Sequence, residues 1–146
     1  MNKLLVLLGV SLLGVAVGAG GPTYVGAQGT PAQISRTELL RKPMSGMEGK
    51  EIVVFIGDIP PGGAATRHSH PGDEAIYMLE GALRFAPDHE QPFELKAGEI
   101  TFNPAKHIHQ ARNESSSASA KVLNCMIAEK GQPLAISAQS EFTVLS

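Results

Sequence analysis

Gly62-Gly-Ala-Ala-Thr-Arg-His68-Ser-His70-Pro-Gly-Asp-Glu74-Ala-Ile-Tyr-Met-Leu-Glu-Gly81 is the stretch on which the reading of this chain turns. His68 and His70 are one residue apart. On an extended strand, residues i and i+2 point to the same face, so both imidazoles can aim at one place. The Pro71-Gly72 pair turns the chain and lets Glu74 re-enter toward the same point. Two neutral nitrogens and a carboxylate oxygen suit a divalent transition metal, and such a face leaves coordination positions open. A further segment, Gly98 to Asn113, offers His107 and His109, again at i and i+2, either of which could supply a fourth ligand. A lone buried histidine is ordinarily a hydrogen-bonded core residue. Two of them with a carboxylate at this spacing favour ligation.

The spacings resemble the two motifs of the cupin superfamily. The first runs Gly, five residues, His-x-His, three or four residues, Glu, six residues, Gly, and Gly62, His68, His70, Glu74 and Gly81 fill it. The second runs Gly, five residues, Pro-x-Gly, two residues, His, three residues, Asn, and Gly98, Pro104, His109 and Asn113 match it. Lys106 stands where the family has glycine. Glycine reaches positive φ cheaply, so a lysine there bears on the turn geometry and could place a cation at the pocket mouth. The resemblance assigns the fourth ligand to His109 rather than His107, and implies that its strand runs beside the one carrying His68 and His70. It also implies a metal bound by His68, His70, Glu74 and His109.

The rest of the chain reads as short β-rich runs separated by turns. Glu51 to Ile59, Glu74 to Leu79, Ala82 to Phe85, Phe93 to Lys96, Glu99 to Phe102, His107 to Arg112, Lys121 to Glu129 and Glu141 to Leu145 are the expected strands. Ile34 to Arg41 fits a strand or a short helix. Such a pattern argues an all-β sandwich or barrel, and the resemblance sharpens this to a double-stranded β-helix, a jelly-roll-like barrel. With Glu74 inward, Ile76 and Met78 should face in, and Ala75, Tyr77 and Leu79 out. Phe102 is a further candidate for the pocket wall. Cys125, in an apolar run, reads as a buried thiol, and as the single cysteine it has no intramolecular disulfide partner.

At 146 residues the chain has length for one core. Formal charge is −2 with no basic patch, so no nucleic-acid partner is expected. With no Trp and two Tyr there are few platforms for stacking on bases or sugars. The start differs in kind: Lys3, then an apolar run from Leu4 to Val17, then Val25-Gly26-Ala27 before Gln28. These are the parts of a secretion signal, too short for a confident membrane span. The expected organisation is a signal peptide over 1–27, a linker and possible edge strand over 28–43, and a cupin domain over 44–146. This implies a periplasmic or secreted protein with no stable membrane span after cleavage, the alternative being an uncleaved N-terminal anchor.

Three histidines and one glutamate would hold one divalent ion, Fe, Mn, Ni, Cu or Zn, and leave room for a small-molecule substrate. A metal-dependent enzyme, dioxygenase-like, is the leading expectation. A non-catalytic metal- or ligand-binding cupin, or a cupin isomerase, decarboxylase or lyase, is the alternative. His89 reads as a solvated turn residue, and Arg67, Arg112 and Lys106 as solvated cations rather than substrate anchors. The resemblance also implies a homodimer, joined through an outer sheet face and an N-terminal strand (Ile34 to Leu40) laid along a neighbouring edge.

Overall fold

The structure, a computed structural model, describes residues 34–138. The expected signal peptide, its cleavage point and the run from Glu141 to Leu145 lie outside the described residues. The elements are β1 (Ser35–Pro43), β2 (Lys50–Ile59), β3 (Ala64–Ser69), β4 (Asp73–Glu80), β5 (Ala82–Pro87), β6 (Phe93–Lys96), β7 (Ile100–Asn103), β8 (His109–Arg112), β9 (Ala120–Glu129) and β10 (Ile136–Ser137). They form two antiparallel five-stranded sheets, ordered β1-β2-β9-β4-β7 and β10-β3-β8-β5-β6. This is the double-stranded β-helix that the sequence leads one to expect. Among the described residues no helix is long and apolar enough to cross a membrane.

The long strands are apolar, β-branched runs whose burial alternates strictly. In β2, Glu51, Val53, Phe55, Gly57 and Ile59 are buried while their neighbours are half-buried. β9 repeats the pattern, and the two pair without a break from Lys50↔Glu129 to Ile59↔Ala120. A period of two turns one face of each strand inward. Ile59, Ile76 and Val122 from the first sheet meet Leu83, Phe85 and Leu95 from the second in the main core. Each such side chain contributes roughly 1.5–3 kcal/mol by leaving water. Val53, Phe55, Met126 and Ala128 make a second cluster.

β1 pairs antiparallel with β2 and forms one edge of the first sheet. Its charged side chains, its terminal Pro43 and a bulge between Glu38 and Leu40 blunt that edge. Ile76 and Met78 face in and Tyr77 and Leu79 out, as alternation from Glu74 requires. Phe102 corrects the expectation of an inward ring: it is 60% exposed, because its neighbour Asn103 is the residue paired with Glu74 and takes the inward position. Cys125 is half-buried on the outer face rather than buried, since it stands opposite the outward Val54 and Ala75.

Two local features hold the ends of the barrel. Gly72 runs against β9 so closely that a Cβ there would lie 1.9 Å from the Ile127 carbonyl oxygen. Only glycine permits that approach, and it fixes the loop between β3 and β4. Asn113 is fully buried, with Nδ2 within 3.0 Å of the Ile59 carbonyl and 2.8 Å of the Ala118 carbonyl, while Oδ1 accepts from the Ser115 amide. It ties the polar loop after β8 to the end of β2, which is a structural task.

Candidate metal centre

β3 and β8 lie side by side with His68 directly opposite His109, and His70 follows one residue after β3 ends. The three imidazoles gather with one potential donor atom from each, all within 4.8 Å of one another. Each ring gives its Nδ1 to a backbone carbonyl: His68 to Thr66 at 2.7 Å, His70 to Leu134 at 2.6 Å, and His109 to His107 at 3.3 Å. A carbonyl only accepts, so each Nδ1 carries its hydrogen. In a neutral ring that leaves Nε2 with a bare lone pair. Phe85 stacks on the His109 ring, centroids 5.1 Å apart, and fixes its plane.

Glu74 enters from the opposite sheet. It is 2% exposed, and its Oε2 lies 2.9 Å from Nε2 of His70. Asn103, directly across from it on β7, donates to the same oxygen at 3.2 Å and lies 3.3 Å from Nε2 of His109. The three histidines form the tight cluster, and the carboxylate stands beside it on His70.

The electrostatics fit a cation. Burial, then the charges of His68 and His70, lowers the His109 pKa to about 4. Burial likewise lowers that of His68. At His70 burial also opposes protonation, but the hydrogen bond and charge of Glu74 outweigh it and the pKa rises. For Glu74 burial favours the neutral acid, yet His70 overcomes it and the carboxyl falls below its usual range. His70 thus has both ring nitrogens engaged, one with a carbonyl and one with a carboxylate, so it carries a proton where the cluster wants positive charge. A divalent ion would take that proton's place. Neutral N donors with one O donor suit a first-row transition metal, so the residues present fit the group the sequence implies.

The cluster lies at the wall of a pocket of about 530 Å³, counting its open mouth. Its other walls are mainly apolar, with Ile76, Leu83 and Val122 among them. His107 stays outside, half-buried and 3.6 Å from Glu90, so His109 takes the position that the motif implies. His89 is exposed in a turn. Arg67 is a surface cation outside the pocket lining, as expected, and pairs with Asp88. Lys106 is exposed and does not line the pocket; among the described residues the cation that does is Arg36. Lys106 keeps the left-handed conformation its motif needs, at φ 66°, and its amide donates to the His70 carbonyl at 2.8 Å. Asn103 and Arg36 were not foreseen as site residues. Both owe their place to cross-strand pairing, and the only sequence signal for Asn103 is an amide between an apolar strand and Pro104.

Residues 55–126 match the family model described as Cupin domain. No curated protein matches the chain. A cupin superfamily protein from Desulfitobacterium hafniense is 16% identical, aligning 68% of this chain with 82% of its own at a TM-score of 0.56. A double-stranded β-helix protein from Klebsiella pneumoniae is 19% identical over 75% of this chain and 89% of its own, TM-score 0.58. The DMSP lyase DddQ from Ruegeria pomeroyi is 21% identical over 62% of this chain and 44% of its own, TM-score 0.54. At these identities the likeness is one of fold.

Proposed function

We propose that this cupin binds one divalent transition-metal ion through Nε2 of His68, His70 and His109, with the Glu74 carboxylate as fourth ligand, and uses it on a small organic molecule. One observation carries the reading: three Nδ1–H groups given to backbone carbonyls, and three imidazoles clustered so that their donors meet. An ion held there, with coordination positions left open, supplies Lewis-acid or redox activation of a ligand entering from the pocket. The chain's own contribution is to fix the ring tautomers, to pin Glu74 through Asn103, and to hold the substrate against apolar walls that exclude water. Oxidative, dioxygenase-like turnover is the activity we favour. The second reading, a non-catalytic metal or ligand binder, draws on the pocket lining: among the described residues, the one ionisable side chain besides the proposed ligands is Arg36, a poor general acid or base.

Elemental analysis of protein purified from its native compartment tests the site. Single alanine replacements of His68, His70, Glu74 and His109 should each reduce bound metal sharply, and His89→Ala should not. Asn103→Leu should weaken metal affinity about tenfold while leaving the fold intact, as expected for a group that orients a ligand. Full metal content in His109→Ala, with loss in His107→Ala, would replace His109 by His107 as the third imidazole ligand. Oxygen uptake by the iron-loaded protein with phenolic and keto substrates separates catalysis from binding. Export is part of the same proposal, from the Lys3 start, the apolar run and Ala27. Amino-terminal sequencing of extracytoplasmic material should begin near Gln28, whereas an intact chain retained on carbonate-washed membranes would mean an anchor.

A further inference from the structure

Arg36 sits on β1 directly opposite Gly57 of β2. Residues opposite one another in an antiparallel pair project to the same face, and Gly57 is a buried, inward position lining the pocket. Arg36 therefore points over the pocket, and it lines it together with His68, His70 and Glu74. Gly57 has no side chain, so Arg36 faces no bulk directly opposite it.

Among the described residues the neighbouring carboxylates are engaged by other cations. Glu38, the acid on the same face of β1, is engaged by Arg41 at 2.9 Å. Arg41 in turn also pairs with Glu51. Arg67 is committed to Asp88. Among the described residues Arg36 has no ion pair. The walls beneath it, Ile59, Ile76, Leu83 and Val122, are apolar.

We propose that Arg36 is the specificity-determining residue of the pocket and selects small organic carboxylates, gripping the acid group at the mouth while an apolar body fills the space toward the metal. The inference rests on the metal reading above only for what lies at the far end of the pocket. A guanidinium matches a carboxylate with two parallel hydrogen bonds. Arg36 is exposed at the mouth, so its selectivity rests on charge and fork geometry rather than on exclusion of water.

Titration calorimetry on the full-length protein, with metal content measured on the same sample, tests this with 3-methylbutanoate and its neutral isostere 3-methylbutanamide. The acid should bind about tenfold or more tighter than the amide. Arg36→Gln should weaken the acid by about tenfold to a hundredfold, with amide affinity and metal content unchanged. Arg36→Lys should restore part of the acid affinity, because it keeps the charge and loses the fork. Arg112→Gln, an exposed arginine outside the pocket lining, should change nothing. Equal affinity for acid and amide, or binding of neither at millimolar concentration, would overturn the proposal. So would an acid preference that survives Arg36→Gln and vanishes on metal removal, since the carboxylate would then sit on the ion. Failure of the metal reading is separate: the protein would carry no metal, while the effect of Arg36→Gln on acid binding would persist.

Discussion

Lys106 holds a left-handed backbone conformation where its motif has glycine, and its amide is bonded to the carbonyl of His70. A side chain in that region costs roughly 1–2 kcal/mol, and the greater freedom of glycine in the unfolded chain returns roughly 0.5–1 kcal/mol. Lys106→Gly should therefore stabilise the protein by about 0.5–1 kcal/mol, read as a higher urea midpoint with an unchanged slope. Because Lys106 is exposed and outside the pocket lining, metal content should not move. A lower midpoint would show that the lysine makes a contact worth more than its strain. At this scale much of the site is legible in the sequence. His68 and His70 declare themselves through i, i+2 spacing and His109 through its motif. Asn103 and Arg36 do not, because each matters through the residue it faces across a strand pair, Glu74 and Gly57. Register between short strands is not written in spacing.

β4 and β7 together present an apolar outer face. Tyr77 pairs with Ile100 and Ala75 with Phe102, and Ile100 is 67% exposed. Leu123 and Cys125 of β9 continue it, half-buried, opposite Tyr77 and Ala75. A wide apolar face at a sheet edge invites pairing, and two-fold closure is its commonest form. Light scattering should give twice the chain mass, and Phe102→Asp should halve it without loss of bound metal. A single-chain mass at high concentration would refute the dimer. The strands themselves were unequally legible. β2 and β9 announce themselves as long apolar, β-branched runs, whereas their strict alternation is one of burial and emerges only on pairing. Ile34 to Arg41 reads ambiguously because Leu39 and Leu40 are adjacent, and the structure places a bulge there, between Glu38 and Leu40. β10 has two residues, too few to leave a periodic signal.

The whole molecule's acid response follows from the cluster. His109 takes its proton near pH 6.5 when unfolded and only near pH 4 when folded. In that interval the unfolded chain binds more protons, so stability is present above pH 6.5 and is lost as pH falls toward 4. His68, also lowered, acts in the same sense. His70, raised by Glu74, contributes the opposite way: its share is complete below 6.5 and is lost as pH rises through its folded value. Urea midpoints of metal-stripped protein should therefore decline between pH 6.5 and 4, and His109→Phe should flatten that decline. Bound metal should leave over a range reaching above pH 6.5, because His70 is the first ring to reclaim a proton. His70 also receives its carbonyl partner from Leu134, 64 residues further along the chain. Leu134 lies beyond the last long strand, in a segment held by the two-residue β10. Leu134 thus orients a proposed ligand from a distance: with that carbonyl gone, His70 would be free to turn. A protease that cuts the chain between Glu129 and Leu134 should therefore lower bound metal as a chelator would, without touching any proposed ligand.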